Sequence, residues 1–595
     1  MIQERLEQLR SLMAEHQMDA YMIPTSDFHE SEYVGEYFKC REFMTGFSGS
    51  AGTAVITKDG AGLWTDGRYF VQAGKQLEGT GVTLQKMGQP EVPEIGEYLE
   101  QVLPEGGCLG FDGRVINCQL GQELENLLSE KNVTLAYQTD LVDVIWKERP
   151  QLSAEPAWIL EEKYGGKSSA QKIEELRSQM KKEKATIHIL TTLDDIAWLL
   201  NIRGNDVVCN PVVLSYAMIT LDRFYLFINE TVLKEEVKAY FKGLSVTVCP
   251  YNDIYTAVQQ LRNQKVLLET ARTNYAIVKN LDGSNKIIDK MNPTALLKAM
   301  KNPVEVENMK KAHIKDGVAM VKFIYWLKQN VGKETITEVS AQEYLDDLRS
   351  RQEGNLGQSF DTISAYGANA AMCHYKATGE SDVKIETKGL YLVDSGGQYY
   401  EGTTDVTRTI AVGPLTEEER EHFTLTVISM LRLGAVKFLY GCRGLTLDYV
   451  AREPFWSRGI NYDHGTGHGV GYLLNVHERP NGIRWRMVPE RQDNSVLEEG
   501  MVTSDEPGVY IEGSHGVRTE NLVVCKKAEK NEYGQFMEFE FLTMVPIDLE
   551  AIDTSIMTER DVKLLNDYHK AVYESLSPYF TGEEALWLKE NTRAV

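Results

Sequence analysis

The sequence predicts two similar α/β domains followed by an α+β domain that carries the chemistry. Three observations predict it. A chain of 595 residues is too long for one hydrophobic core. The pattern Arg5-Leu-Glu-Gln-Leu-Arg-Ser-Leu-Met returns as Lys172-Ile-Glu-Glu-Leu-Arg-Ser-Gln-Met, shifted by 172 − 5 = 167 residues, which marks an internal repeat. From Val304 onward, helix and hairpin patterns alternate, and every chemically suggestive phrase lies in that part.

Residues 5–13 are apolar at 6, 9, 12 and 13, the spacing of an amphipathic helix, and 172–180 repeat it. Asp19-Ala-Tyr-Met-Ile and His188-Ile-Leu predict the strand that follows each helix. Met44-Thr-Gly-Phe-Ser-Gly and Trp198-Leu-Leu-Asn-Ile-Arg-Gly are apolar stretches closing in glycine turns. Gly62-Leu-Trp-Thr-Asp-Gly-Arg and Phe224-Tyr-Leu-Phe-Ile-Asn predict a later strand in each copy. Pro150 and Pro156 break regular structure between the copies, and Pro303 suits the start of a long helix. The expected domains are therefore 1–155, 156–302 and 303–595. Leu564 to Val572 predicts a terminal helix packed on the last of them.

With 42% hydrophobic and 25% charged residues, the composition is that of a soluble globular protein. No apolar run approaches the ~20 residues of a membrane span, and the first residues lack a signal-peptide core, so a cytoplasmic protein is expected. Eight cysteines without a CxxC pair suit reduced thiols and argue against thiolate-bound zinc. A net charge of −24 leaves no basic face for a nucleic acid. That acidity is ordinary for solubility, and it also suits substrates carrying a free amino group.

Five phrases between Val393 and Asn521 each set an acid or imidazole among small, β-branched or glycine residues. They present Asp394, Asp405, His468, Glu506 and Glu520. Asp394 follows the strand pattern Gly389-Leu-Tyr-Leu-Val, Asp405 precedes Val406-Thr-Arg-Thr-Ile, and 396–402 supplies a turn. A separation of 405 − 394 = 11 residues lets a hairpin bring both carboxylates together. Glu506 and Glu520, 520 − 506 = 14 apart, bracket a second hairpin. Four clustered carboxylates repel unless cations neutralise them, which two divalent ions do. Oxygen-rich ligation with one imidazole suits Mn²⁺ or Co²⁺, and Zn²⁺ is admissible. Any one of these acids alone reads best as a solvated surface charge; five in order do not. Gly465, Gly467, Gly469 and Gly471 match neither a P-loop nor a dinucleotide fingerprint.

Asp-Ser-Gly at 394–396, Thr-Thr-Asp-Val-Thr-Arg-Thr at 403–409, His-Gly-Thr-Gly-His-Gly-Val-Gly at 464–471, Asn475-Val-His-Glu, Asp505-Glu-Pro-Gly and Glu520-Asn resemble the aminopeptidase P family of pita-bread metallopeptidases. The resemblance spans the chain, and the duplicated front half is similar to that family's three-domain form. It implies two creatinase/prolidase N-terminal-like domains roofing a pita-bread domain, and hydrolysis of the N-terminal Xaa-Pro bond of peptides through a metal-bridging hydroxide. It further implies Asp394 on one metal, Asp405 and Glu520 bridging, and His468 with Glu506 on the other. Glu506 would shuttle protons. His374, His464 and His477 would bind the substrate carbonyl and proline and stabilise the oxyanion, and Arg518 would orient a ligand aspartate. Family members of this form are typically homodimers, and Phe455-Trp456 lies where they carry an interface aromatic; an ordinary core tryptophan is the equal alternative. Asp463 and Arg479 depart from the family pattern beside the substrate path. A prolidase limited to Xaa-Pro dipeptides, and a non-catalytic pita-bread module binding peptides or histones, are the competing readings. The intact set of five ligands disfavours the latter.

Overall fold

The helices Ile2–Glu15 and Ser169–Lys182 open the two copies of the repeat, 169 − 2 = 167 residues apart. The strands that follow, Ala20–Pro24 and Ile187–Leu190, start 187 − 20 = 167 residues apart. Each helix buries the stripe that its sequence pattern predicts: Leu6, Leu9 and Met13 in one, Ile173, Leu176 and Met180 in the other. In this computed structural model, which describes residues 2–379 and 381–595 and not the side chain of Glu490, each copy builds a six-stranded mixed sheet. The first runs Thr83–Lys86, Ala61–Thr65, Thr53–Thr57, Ala20–Pro24, Cys108–Gly110, Thr134–Ala136. The second runs Val246–Cys249, Phe224–Ile228, Ser215–Thr220, Ile187–Leu190, Lys265–Leu268, Lys286–Asp289. The sequence of parallel and antiparallel pairings is identical in the two. The duplication legible in the sequence is thus a duplicated topology.

Two compact units account for the chain: Met1–Ile159 with Ser168–Thr294, and Leu160–Lys167 with Ala295–Val595. Both copies of the repeat fall in the first. Buried His29 ties them together, its Nδ1 2.8 Å from the Thr191 carbonyl and its Nε2 2.6 Å from the Tyr251 hydroxyl. One local expectation differs. The 198–204 stretch does not close at Gly204; the helix Leu193–Leu200 ends at Asn201 with φ 47°, because asparagine tolerates the left-handed region. Ile202–Arg203 then pairs with Trp158–Ile159.

The second unit holds the long helix Pro303–Asn330, started by Pro303 and by Asn302, whose side chain accepts from the Val304 and Glu305 amides. Its sheets include the three strands Ile363–Tyr366, Leu390–Ser395 and Val406–Ala411. A six-stranded sheet is ordered Lys437–Leu439, Gly534–Phe541, Asn521–Asn531, Val502–Asp505, Gly467–Gly469, Glu478–Ile483. Behind them pack the helices Glu417–Gly434 and Glu559–Leu576, the latter burying Leu565, Tyr568, Val572 and Leu576 in the core that holds Phe423 and Val427. This is the terminal helix expected from the sequence. Among the described residues, no helix is long and apolar enough to cross a membrane.

Candidate metal centre

Asp394 and Asp405 sit at the open end of one strand pair. Leu390–Ser395 pairs antiparallel with Val406–Ala411, Asp394 opposite Thr407 and Ser395 opposite Val406. The connection is not the simple turn expected over 396–402. Gln398 pairs with Thr403 and Tyr399 with Gly402, so a second short ladder buds off. Gly396 permits this fold-back, since a β-carbon there would lie 2.0 Å from the Thr404 carbonyl oxygen. Glu506 and Glu520 flank a second pairing in the same way, for Asp505 lies opposite Asn521, and the hairpin Gly508–Ile511 with His515–Arg518 projects between them. The glycines around His468 also serve packing. A β-carbon at Gly467 would sit 1.9 Å from the Ser504 carbonyl oxygen, so the strand carrying His468 can press against Val502–Asp505 only with glycine there.

Three groups converge. Asp405, His468 and Glu520 each offer a ligand atom, and these atoms lie within 4.8 Å of one another. His468 Nε2 is 3.5 Å from Asp405 Oδ2 and 3.5 Å from Glu506 Oε1. Its Nδ1 donates to the Gly469 carbonyl at 2.9 Å, which turns Nε2 toward the acids. Thr407 Oγ1 donates to Glu520 Oε2 at 2.8 Å, and Ser504 Oγ to Glu506 Oε1 at 3.2 Å. Among the described residues, the remaining oxygen of Glu520 and Oδ1 of Asp394 are buried and have no hydrogen-bond partner. Buried carboxylate oxygens left over after such tethering suit a hard cation.

The electrostatics agree. Burial pushes the carboxyls of Asp394, Glu506 and Glu520 above the usual range; Asp405 and its neighbours push Glu520 further, while Arg518 partly restrains Asp394 and Glu506. Burial works against a charge on His468, but the hydrogen bond to Asp405 and the field of Glu506 outweigh it and raise the imidazole to about 9. The cluster is short of positive charge.

Around it runs a one-directional relay. Arg518 Nη2 donates to Asp394 Oδ2 at 2.6 Å and Nη1 to the Tyr510 hydroxyl at 2.8 Å. Tyr510 in turn lies 2.9 Å from His464 Nε2, and His464 Nδ1 is 2.8 Å from the Gly465 carbonyl. Burial, with Arg518, lowers the His464 pKa to about 3, so this imidazole is neutral. His477 stands edge-on to His468, ring centroids 4.3 Å apart. His374 is exposed, near enough to His464 for their charges to interact. Asp463 accepts from Asn461 at 3.2 Å, and Arg479 pairs with Gln492.

Over 609 residues the chain is 40% identical to a probable Xaa-Pro aminopeptidase P of Pyrenophora teres, covering 99% of this chain and 92% of that one. The chain belongs to the Xaa-Pro aminopeptidase P family. Residues 5–145 and 148–305 of this family member match the Creatinase/Prolidase N-terminal domain, 307–527 match Metallopeptidase family M24, and 535–595 match the C-terminal region of that peptidase family. A crystal structure of an X-prolyl aminopeptidase from Caenorhabditis elegans, described as a cytosolic enzyme with a di-nuclear active site, superposes with TM-score 0.94 at 34% identity over 100% of both chains. An Xaa-Pro dipeptidase from Bacillus anthracis, 24% identical with TM-score 0.52 over 64% of this chain, shares the fold alone.

Sequence reasoning passed over several residues of this aminopeptidase P site. Tyr510 links His464 to Arg518, and Thr407 and Ser504 tether two of the acids. Buried Arg408 donates to the carbonyl of Glu520 at 2.6 Å and to Asn521 Oδ1 at 2.8 Å, fixing the backbone from which Glu520 projects. Lys298 and Lys301 pair with Glu478, all three buried, and so pin the residue after His477. For some of these the sequence signal was adjacency to a predicted site residue: Thr407 and Arg408 follow Asp405, Ser504 precedes Glu506, and Glu478 follows His477.

Proposed function

We propose that this protein removes the N-terminal residue from peptides whose second residue is proline, with two divalent metal ions, Mn²⁺ in the cell, held by Asp394, Asp405, His468, Glu506 and Glu520. The observation that carries this reading is the convergence of Asp405, His468 and Glu520 beside partnerless buried carboxylate oxygens, in a chain of this family. Bound there, paired cations would polarise the scissile carbonyl and acidify a water. Glu506, whose carboxyl burial pushes upward, is suited to take that water's proton and return it to the leaving proline nitrogen. Arg518 holds one oxygen of Asp394 and leaves the other for a metal. His464 acts as a neutral hydrogen-bonding group held through Tyr510, and His374 and His477 bind the substrate carbonyl and the developing oxyanion. Proline lacks an amide hydrogen and fixes φ, so recognition relies on the ring's shape.

The same reading places the enzyme in the cytoplasm as a homodimer, without nucleic-acid or membrane partners. Trp456 is 41% exposed and touches the rings of Tyr449 and Trp485, centroids 6.0 and 6.1 Å away, both also exposed. Such an aromatic patch suits a second copy of the chain. Its neighbour Phe455, by contrast, is core, packed on Tyr462.

Release of arginine from Arg-Pro-Pro by Mn²⁺-loaded protein tests the proposal, with Asp405→Asn as control. No release with two metals bound refutes it; cleavage of Arg-Pro but not Arg-Pro-Pro identifies a prolidase. Peptide binding that needs neither metal nor turnover identifies a binding module.

A further inference from the structure

The loop 457–466, between the helix Gly444–Trp456 and the strand Gly467–Gly469, has no regular structure, yet it carries His464. Its carbonyls must find partners outside a ladder. One side chain serves two of them, including that of His464. Arg452 Nη1 donates to the Tyr462 carbonyl at 2.6 Å and to Asn461 Oδ1 at 3.0 Å, and Nη2 donates to the carbonyl of His464 itself at 2.7 Å. Its guanidinium stands 3.8 Å from the centre of the Tyr462 ring. Asp448, one helical turn earlier, accepts from Arg452 Nε at 2.7 Å on one oxygen and from Thr466 Oγ1 at 2.6 Å on the other. Thr466 Oγ1 is in turn 2.6 Å from the Tyr462 hydroxyl. Both charged side chains are fully buried.

We propose that Arg452, oriented by Asp448, is the positioning residue for His464. The inference rests on the substrate-binding role given to His464 above. A buried ion pair is weak as a stabilising device, because desolvation offsets its attraction, and well-packed apolar residues often do as well. What this pair supplies is one definite backbone path. A planar fork meets three loop acceptors at once, which the point charge of lysine does not. The path matters because His464 is engaged at both nitrogens, by the Gly465 carbonyl and the Tyr510 hydroxyl. A sub-ångström drift of the loop breaks one of them. Trp456 Nε1 reinforces the same point, donating to Asn461 Oδ1 at 2.9 Å.

The test compares Arg452→Lys in the wild-type and His464→Ala backgrounds, with turnover of Arg-Pro-Pro, metal content, and hydrogen exchange of the 461–466 amides as readouts. The expected result is two metals retained, kcat lowered about 10–100-fold with KM changed about threefold or less, and about tenfold faster exchange confined to this loop. In the His464→Ala background the same substitution should cost about threefold or less. An equal loss in both backgrounds, or unchanged exchange at 461–466, overturns the proposal. If His464→Ala is as active as wild type, the role of His464 fails, and the exchange measurement alone decides whether Arg452 anchors the loop. Should Arg452→Lys not fold, Asp448→Asn, which frees the guanidinium and Thr466, is read by the same criteria.

Discussion

Replacing Arg518 by methionine removes the bond of 2.6 Å to Asp394, the bond of 2.8 Å to Tyr510 and a weaker one of 3.2 Å to Thr407. The pair is buried, with side-chain exposures of 4% and 11%, so solvent does not take over. Breaking such a pair costs about 3–5 kcal/mol when the abandoned charge has no other partner. In the metal-loaded enzyme Asp394 keeps a cation partner. The loss there is that of an orienting contact behind a ligand, about 10–100-fold in metal affinity, or about 1.4–2.7 kcal/mol. The two losses add around the binding cycle, because the metal-free fold bears the first and the metal-loaded fold bears both. Arg518→Met should therefore be destabilised without metal and, by the lost affinity, further with it. Chelator-stripped protein titrated with Mn²⁺ and followed by activity should show the weaker affinity, with part of kcat restored at saturation. Uptake of two metals with wild-type affinity would refute the argument that Arg518 holds Asp394 for the ion.

Two further outcomes are expected. His569 is buried, accepts the Ile547 amide at 3.0 Å on Nε2, and has its pKa lowered from 6.5 to about 3 by burial and by Arg408. A depressed folded pKa means stability that is present above pH 6.5 and lost as pH falls toward 3. This amounts to about 2 kcal/mol between pH 7 and pH 5. Urea unfolding of His569→Gln at those two pH values should show that much less pH sensitivity than wild type; equal sensitivity would exclude this imidazole as the source. Trp456→Glu should shift the sedimenting species from dimer to monomer by charging an exposed aromatic patch. A wild-type protein already at monomer mass at micromolar concentration would remove the dimer.

Much of this fold was readable because repetition and alternation are one-dimensional signals. The 167-residue shift survives as the spacing of both opening helices and both central strands. The strand pairings that carry the acids were readable from spacing, since a hairpin fixes which residues meet. The bud at 397–403 was not, because its cause is a contact between Gly396 and Thr404 across the ladder. Tyr510, Thr407 and Ser504 stayed hidden for another reason. Tyrosine, threonine and serine in strands are common, and only the fold shows that these three hydroxyls face carboxylates or an imidazole. The exposed face of Trp456 and the buried one of Phe455 are likewise adjacent in sequence and opposite in space.

The placement of Asp394 opposite Thr407 and Asp505 opposite Asn521 has a consequence for how such a chain tolerates change. A strand alternates faces with period two, so inserting or deleting one residue within 390–395 or 502–505 would turn every side chain beyond it to the wrong side. Substitutions can erode this site gradually. Insertions there would abolish it in one step, while the same event in an exposed hairpin tip such as 531–534 costs little. Length variation among relatives should therefore collect at hairpin tips and spare the strand ends that carry the acids.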